Sequence, residues 1–266
     1  MKDYEMKEGY VLVALGDIYK QLAARFIHTL RQCGDTRPVY VIDEKVLDTE
    51  TDMYKACKVN NERFNCYPKI TLNRYLPFEH NMFVDADSLC IASTQHIWDM
   101  CHEQDQFILH RGWDGYTGWD NDIQLDIEKA HGFMMPRLHG AWFYIRKEAI
   151  VDEFFTFMQE DVFPNYSHWC TRDLASRNHR RSRSDQTIYS LAYGKFGLSP
   201  CDLMKTPVMT HIMDESQAME PHYKVNFKGE YGPKLDNAIP FVHIEKLYQP
   251  SAPEAFGRKG KKEKIL

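Results

Sequence analysis

Two carboxylates one residue apart are the part of this sequence best suited to chemistry. Asp85 and Asp87 end a short apolar run in the segment 81–88, NMFVDADS. Residues i and i+2 of a strand point to the same side, so both carboxylates can converge on one cation where the chain leaves a sheet. Such ligands hold Mg²⁺ or Mn²⁺ with positions left open for phosphates, which indicates a nucleoside diphosphate site. The alternative is an ordinary turn, in which Asp and Ser are common.

The elements that must position this pair read as the start of an α/β fold. A continuous apolar run at residues 10–15, YVLVAL, is typical of a strand buried on both faces. Asp17 can cap a following helix, whose apolar residues recur at helical spacing up to Leu30, and Gly34 can end it. Residues 38–43 predict a second buried strand, which completes a βαβ unit, and residues 82–84 predict a third.

Acidic residues follow each of these three strands. Asp17 and Asp43 come after the first and second, and the pair Asp85 and Asp87 comes after the third. Open parallel sheets bind ligands in the crevice outside the carboxyl ends of their strands. We therefore expect all four carboxylates to face one crevice.

The rest of the chain is patterned less regularly. Residues 110–139 mix aromatic residues, glycine and aspartate and suit a binding loop, while an arginine-rich stretch at 172–183 is either a solvated loop or a site for an anionic group. The further elements that we expect are a helix near residues 69–75, a strand at 141–145, an amphipathic helix at 148–160, a helix beginning at Ser184 or Asp185, and a strand at 241–244.

Length and composition limit the class of protein. The 266 residues, 43% of them hydrophobic, suffice for one domain, which we place at residues 1–250, before a basic tail at 251–266. The charged N-terminus and the lack of a long apolar run predict a cytoplasmic protein with no membrane span. Seven cysteines without a Cys-x-x-Cys pair predict reduced thiols and no structural zinc, and a net charge of −5 excludes a typical nucleic-acid partner.

In their order along the chain, these segments resemble the GT-A fold of glycosyltransferases, and the glycogenin-like group of family eight in particular. The resemblance covers about residues 10 to 246 and implies a single-domain α/β fold with a Rossmann-like mixed sheet flanked by helices. It rests on the first strand with Gly16-Asp17, on Asp85-Ala86-Asp87 as a DxD motif, on His139-Gly140-Ala141 leading into a strand, on Asp185-Gln186, and on Val242-His243.

The resemblance implies an enzyme that moves a sugar from a nucleoside diphosphate donor, first of all a UDP-sugar, to a hydroxyl of a glycan, a protein or a small molecule. Asp87 would bind the metal directly, and Asp85 would share the metal or the ribose hydroxyls. His243 would add a nitrogen ligand, which favours Mn²⁺ over Mg²⁺, or would bond only to backbone. Asp185 would act on the acceptor as a base or as a charge stabiliser, unless it only caps a helix.

Lys69 and Asp43 complete the set of candidate donor-binding residues. Lys69 could reach the phosphates, and the alternative is an exposed helix lysine. Asp43 could accept a hydrogen bond from the nucleotide base, and the alternative is a turn residue. Two other classes stay open: a non-catalytic protein that binds nucleotide sugars, and a metal-dependent phosphatase of the haloacid dehalogenase type. The phosphatase is disfavoured because its paired aspartates follow the first strand.

Overall fold

A computed structural model describes the parts of the chain that form the core and the candidate site. The described residues are 7–47, 66–112, 132–133, 135–136, 138–166, 185–201, 209–212 and 241–244. Most of the expected binding loop at 110–139, the arginine-rich stretch at 172–183 and the basic tail at 251–266 lie outside them.

The chain opens with the expected strand, helix and strand. β1 (Glu8–Val13) and β2 (Val39–Ile42) pair in parallel, and α1 (Asp17–Gln32) connects them. Capping by Asp17 is wrong: the cap residue is Gly16, with a φ of 86°, and Asp17 is the first residue of the helix. A left-handed φ of this kind favours glycine, which explains why the turn from β1 into α1 uses one.

The end of α1 agrees with the sequence. Gly34 has a φ of 84°, and its N–H donates to the carbonyl of Arg31 at 3.0 Å. The N–H of Asp35 donates to the carbonyl of Leu30 at 3.2 Å. These bonds satisfy carbonyls of the last helical turn, so Gly34 ends the helix as expected.

Five strands form the main sheet. Its remaining strands are β3 (His80–Val84), β5 (Ile108–Gly112) and β6 (Leu138–Arg146), and the strand order is β2-β1-β3-β6-β5. β1 is parallel to β2 and β3, whereas β6 is antiparallel to β3 and β5. The expected mixed Rossmann-like sheet is confirmed, with the carboxyl ends of β1 and β3 side by side.

A second, smaller sheet begins directly after the paired aspartates. It consists of β4 (Ser88–Cys90), β8 (Phe241–Ile244) and β7 (Met209–Ile212) in the order β4-β8-β7. β8 is the expected late strand. β4 and β7 are too short to give a distinct sequence pattern and were not expected.

Helices cover both faces of the main sheet. Successive strand residues point to opposite faces, so Val11, Phe83 and Phe143 share one core cluster while Tyr10, Met82 and Trp142 share the other. The helices after α1 are α2 (Cys66–Ile70), followed by a 3₁₀ turn (Leu72–Tyr75); α3 (Gln95–His102); α4 (Ala149–Thr156), which continues as a π-helical turn (Phe157–Val162); and α5 (Asp185–Phe196). α2, α4 and α5 supply the first cluster, and α1 and α3 supply the second.

Two boundaries differ from the sequence-based expectation. The helix expected near residues 69–75 is instead the short α2 and the 3₁₀ turn, separated at Thr71. Residues 110–112 and 138–139 of the expected binding loop belong to β5 and β6. The helix α3 was not expected. No helix within the described residues has the length and apolar character needed to cross a membrane.

A buried polar network joins β1, α3 and the turn that follows α1. The carboxylate of Asp35 accepts hydrogen bonds from the hydroxyls of Tyr10 (2.6 Å) and Thr94, and from the backbone N–H of Arg37 (2.9 Å). The indole N–H of Trp98 donates to the Tyr10 oxygen at 2.9 Å. Burial acts to raise the pKa of Asp35, but these bonds and the Arg37 charge outweigh it and hold the pKa below its ordinary value.

This network predicts a loss of stability in acid. Because the folded-state pKa of Asp35 lies below its ordinary value of 3.8, its contribution is fully present above that pH and is lost as the pH falls through the folded value. Asp35→Asn is expected to lower the free energy of unfolding at pH 7 by about 1–3 kcal/mol and to flatten its pH dependence below about pH 4. Urea unfolding of the wild type and of Asp35→Asn between pH 2 and 7 measures both the free energy of unfolding and its pH dependence. Equal pH slopes would show that Asp35 does not carry the effect.

Candidate active site

An open cleft lies where β1 and β3 end. The described residues that line it are Val13, Leu15, Tyr19, Lys69, Asp85, Ala86 and Asp87. Both members of the expected aspartate pair therefore face it. The crevice is at the carboxyl edge of the parallel strands, where an open α/β sheet binds its ligand.

The ammonium of Lys69 is the centre of the charged residues in this cleft. Its Nζ lies 2.7 Å from Oδ1 of Asp85 and 3.2 Å from Oδ2 of Asp185, and it donates to the carbonyl oxygen of Gly140 at 3.1 Å. The Lys69 side chain is only 12% exposed. The alternative of an exposed helix lysine is therefore wrong, and Lys69 joins two carboxylates that are 100 positions apart in the sequence.

The DxD segment forms a tight connection between the two sheets. The N–H of Asp85 donates to the carbonyl of Ala141 on β6 at 2.9 Å, and the N–H of Ser88 donates back to the carbonyl of Asp85 at 3.0 Å. Asp87 is 6% exposed. The segment is thus a turn, as the plainer alternative held, but one whose carboxylates line the cleft.

Asp185 reaches this site from the first turn of α5. Gly140 makes the approach possible, since a Cβ placed there would lie 3.1 Å from Cγ of Gln186 and 3.3 Å from Oδ2 of Asp185. Asp185 is 18% exposed at its side chain. Asp185 therefore joins Lys69 from the amino-terminal end of α5.

Stacked aromatic rings support Lys69 from below. Its Nζ lies 5.3 Å from the ring centroid of Phe83, which stacks on Phe143 at 4.4 Å, and Phe143 stacks in turn on His110 at 4.4 Å. Burial, together with the nearby Lys69 charge, lowers the pKa of His110 well below its ordinary value. His110 is therefore a neutral part of the packing and adds no charge to the site.

The residues present fit a divalent metal by their donor chemistry. Asp85, Asp87 and Asp185 carry three formal negative charges against the one positive charge of Lys69, which leaves a formal charge of −2. The backbone of His243 lies opposite Ser88, the residue after Asp87, in the pairing of β4 with β8. The His243 side chain lies outside what the structure describes. Among the described residues, no three His, Cys, Asp or Glu side chains converge on one point.

Asp17 and Asp43 are not among the described residues that line the cleft, so only Asp85 and Asp87 of the four expected carboxylates are found there. Asp17 is exposed on the first turn of α1. Oδ1 of Asp43 accepts the N–H of Lys45 at 2.9 Å, which is the arrangement of a turn residue. A carboxylate that was not expected, Glu44, accepts the N–H of Gly16 and pairs with Lys20 at 2.7 Å. Donor binding by Asp17 and Asp43 stays a prediction.

The contact between Gly140 and Gln186 was not predicted from the sequence, although both residues lie in segments that resemble glycosyltransferases. A glycine just before a strand and a polar residue beside Asp185 were the available signals. Their contact depends on β6 and α5 meeting, which no local pattern specifies.

Comparison with known proteins gives matches at the level of structure. No family model and no curated protein matches the sequence. The structure is similar to mouse xyloside xylosyltransferase 1, with a TM-score of 0.55 and 9% identity over 89% of this chain and 97% of that one. It is similar to the galactosyltransferase LgtC in complex with donor and acceptor sugar analogues, with a TM-score of 0.51 and 13% identity over 94% and 95% of the two chains.

A third similar structure is the bifunctional glycosyltransferase WbbM, with a TM-score of 0.52 and 10% identity, over 91% of this chain and 46% of that one. All three are glycosyltransferases, and the expected GT-A fold is confirmed. At these identities the likeness concerns the fold alone. Membership of family eight stays a prediction.

The close approach at Gly140 predicts the result of adding one methyl group. Gly140→Ala should displace the side chains of Asp185 and Gln186 by a few tenths of an ångström and, because Lys69 holds Asp185 in place, lower the free energy of unfolding by about 1 kcal/mol. Gly112→Ala is the matched control on the neighbouring strand, because its Cβ would lie an ordinary 3.4 Å from Pro200. Urea unfolding compares the two variants. An unchanged stability for Gly140→Ala would contradict the packing described here.

Proposed function

We propose that this protein is a metal-dependent glycosyltransferase that moves a sugar from a nucleoside diphosphate donor, first of all a UDP-sugar, to a hydroxyl acceptor. The observation that carries the proposal is the Lys69 ammonium held between Asp85 and Asp185 at the carboxyl edge of a GT-A sheet. Lys69 pairs Asp85, an expected metal and donor residue that lines the cleft, with Asp185, the expected acceptor-side carboxylate.

The charge of the cleft supports a donor that arrives with a cation. A diphosphate is repelled by carboxylates, and the site as described has a formal charge of −2 from Asp85, Asp87, Asp185 and Lys69. Asp85 and Asp87 would hold a divalent metal, with His243 as a third ligand from β8. When bound, Mn²⁺ or Mg²⁺ would supply a Lewis acid that neutralises the leaving diphosphate.

Lys69 and Asp185 serve the sugar side of the cleft in this proposal. An ammonium has three donor hydrogens, and the contacts of Lys69 with Asp85, Asp185 and Gly140 number three. Lys69 would thus fix the two carboxylates, and its ammonium is also the group that could reach the donor phosphates. Asp185, held in place by Lys69, then accepts a proton from the acceptor hydroxyl or stabilises positive charge on the sugar ring.

The similar structures support sugar transfer as the reaction. One is described as a xylosyltransferase, and another is a galactosyltransferase with donor and acceptor sugar analogues. They differ in the sugar that their names give, so the donor sugar of this protein is best found by a screen. A panel of UDP-, GDP- and ADP-sugars, with Mn²⁺, Mg²⁺ or a chelator, should show release of the nucleoside diphosphate from at least one donor.

The metal assignment gives the sharpest variant for this screen. Asp87→Ala should reduce metal-dependent release of the nucleoside diphosphate by at least about 100-fold, because the leaving group loses its neutralising cation. Asp105→Ala is the matched control, since Asp105 is exposed between α3 and β5. Calorimetry of UDP binding with and without Mn²⁺ gives a second readout for both variants.

Two results would contradict the proposal in different ways. Metal-dependent UDP binding without turnover of any donor would indicate a non-catalytic nucleotide-sugar-binding protein. UDP binding that is unaffected by a chelator and by Asp87→Ala would remove the metal from Asp85 and Asp87.

A further inference from the structure

The helix α5 contacts both the side-chain ammonium and the backbone carbonyl of Lys69. Its first residue, Asp185, pairs with the Lys69 ammonium at 3.2 Å. One turn later, the hydroxyl of Tyr189 donates a hydrogen bond to the backbone carbonyl of Lys69 at 2.7 Å. Residues four apart lie on the same face of a helix, so a single face of α5 contacts both the main chain and the side chain of Lys69.

The segment that carries Lys69 needs such an anchor. α2 has only five residues, and a helix this short is not stable without tertiary contacts. Tyr189 is 1% exposed, and a buried tyrosine hydroxyl requires a partner. Burial, and then the negative charge of Asp185, raise the pKa of Tyr189 well above its ordinary value, so the phenol keeps the proton that it donates.

We propose that Tyr189 is a positioning residue for sugar transfer: its hydrogen bond to the Lys69 carbonyl sets where the Lys69 ammonium stands between Asp85 and Asp185. This inference rests on the proposed function and deepens it. Tyr189 touches the backbone of Lys69 and acts through it. Because Asp185 and Tyr189 are one turn apart on α5, the helix fixes the position of the Lys69 ammonium relative to the Asp185 carboxylate.

The same helix offers a matched control. Tyr193 is also fully buried on α5, and its hydroxyl is hydrogen-bonded to Nδ1 of His110 at 3.0 Å. Tyr189→Phe and Tyr193→Phe each remove one oxygen and one hydrogen bond of a buried tyrosine, so both should lower Tm by a few degrees. Only Tyr189→Phe releases the carbonyl of Lys69.

Steady-state kinetics with the donor found in the screen separates positioning from general stability. Tyr189→Phe should reduce kcat about tenfold or more with little change in the KM for the donor, because small displacements of reacting groups lower the rate. Tyr193→Phe should stay within a few-fold of wild type. In a Lys69→Ala background, Tyr189→Phe should cause no further loss, since its effect passes through Lys69.

A measurement that needs no activity tests the geometry itself. The rate at which an amine-reactive acetylating reagent modifies Lys69, followed by peptide mass spectrometry, should rise several-fold in Tyr189→Phe and stay at the wild-type value in Tyr193→Phe. Equal Lys69 labelling in both variants, or additive kcat losses in the Lys69→Ala background, would overturn the inference. A labelling difference in a protein that turns over no donor would support the positioning of Lys69 by Tyr189 and would reject the proposed function.

Discussion

The site depends on one ion-pair network, in which the Lys69 ammonium is shared by Asp85 and Asp185. Two carboxylates held close together repel each other, and a partly buried charge without a partner is costly. Lys69 reduces both costs because it pairs with both carboxylates. Its ammonium also donates to the carbonyl of Gly140. The ends of β3 and β6, α2 and α5 therefore meet around one charge. The remaining negative charge, with Asp87 included, would attract the divalent cation that the proposed diphosphate donor needs.

The rest of the fold serves to keep these groups at one edge of the sheet. Parallel pairing of β1 with β3 places the end of β3 beside the turn into α1. The stack of Phe83, Phe143 and His110 fills the face below Lys69 with rigid rings. Gly140 lets α5 approach β6, and β8 brings the backbone of His243 opposite Ser88. Positioning thus comes from strand ends and one helix terminus.

Local sequence patterns were enough to predict the individual strands and the first helix, because hydrophobic periodicity and turn residues depend only on neighbouring positions. The apolar runs predicted β1, β2 and β3, and helical spacing with Gly34 predicted α1. Strand alternation is not the reason that Asp85 and Asp87 both line the cleft, because β3 ends at Val84 and the pair lies in the turn before β4. Partnerships across the chain were not predictable. Lys69 meets Asp185 only after β6 and α5 have packed, and the turn bond of Asp43 to Lys45 depends on where β2 stops. Strands of three or four residues, such as β4 and β7, carry too little periodicity to recognise.

The central claim is that the carboxyl ends of β1 and β3 bind a nucleoside diphosphate through a metal held by the aspartate pair. A crystal of the protein with UDP and Mn²⁺, measured for anomalous scattering, tests it most directly. We expect one manganese peak at the aspartate pair, in direct contact with a carboxylate oxygen of Asp87 and a nitrogen of His243 and with the diphosphate beside it. A manganese peak or a UDP molecule bound away from this edge of the sheet would contradict it.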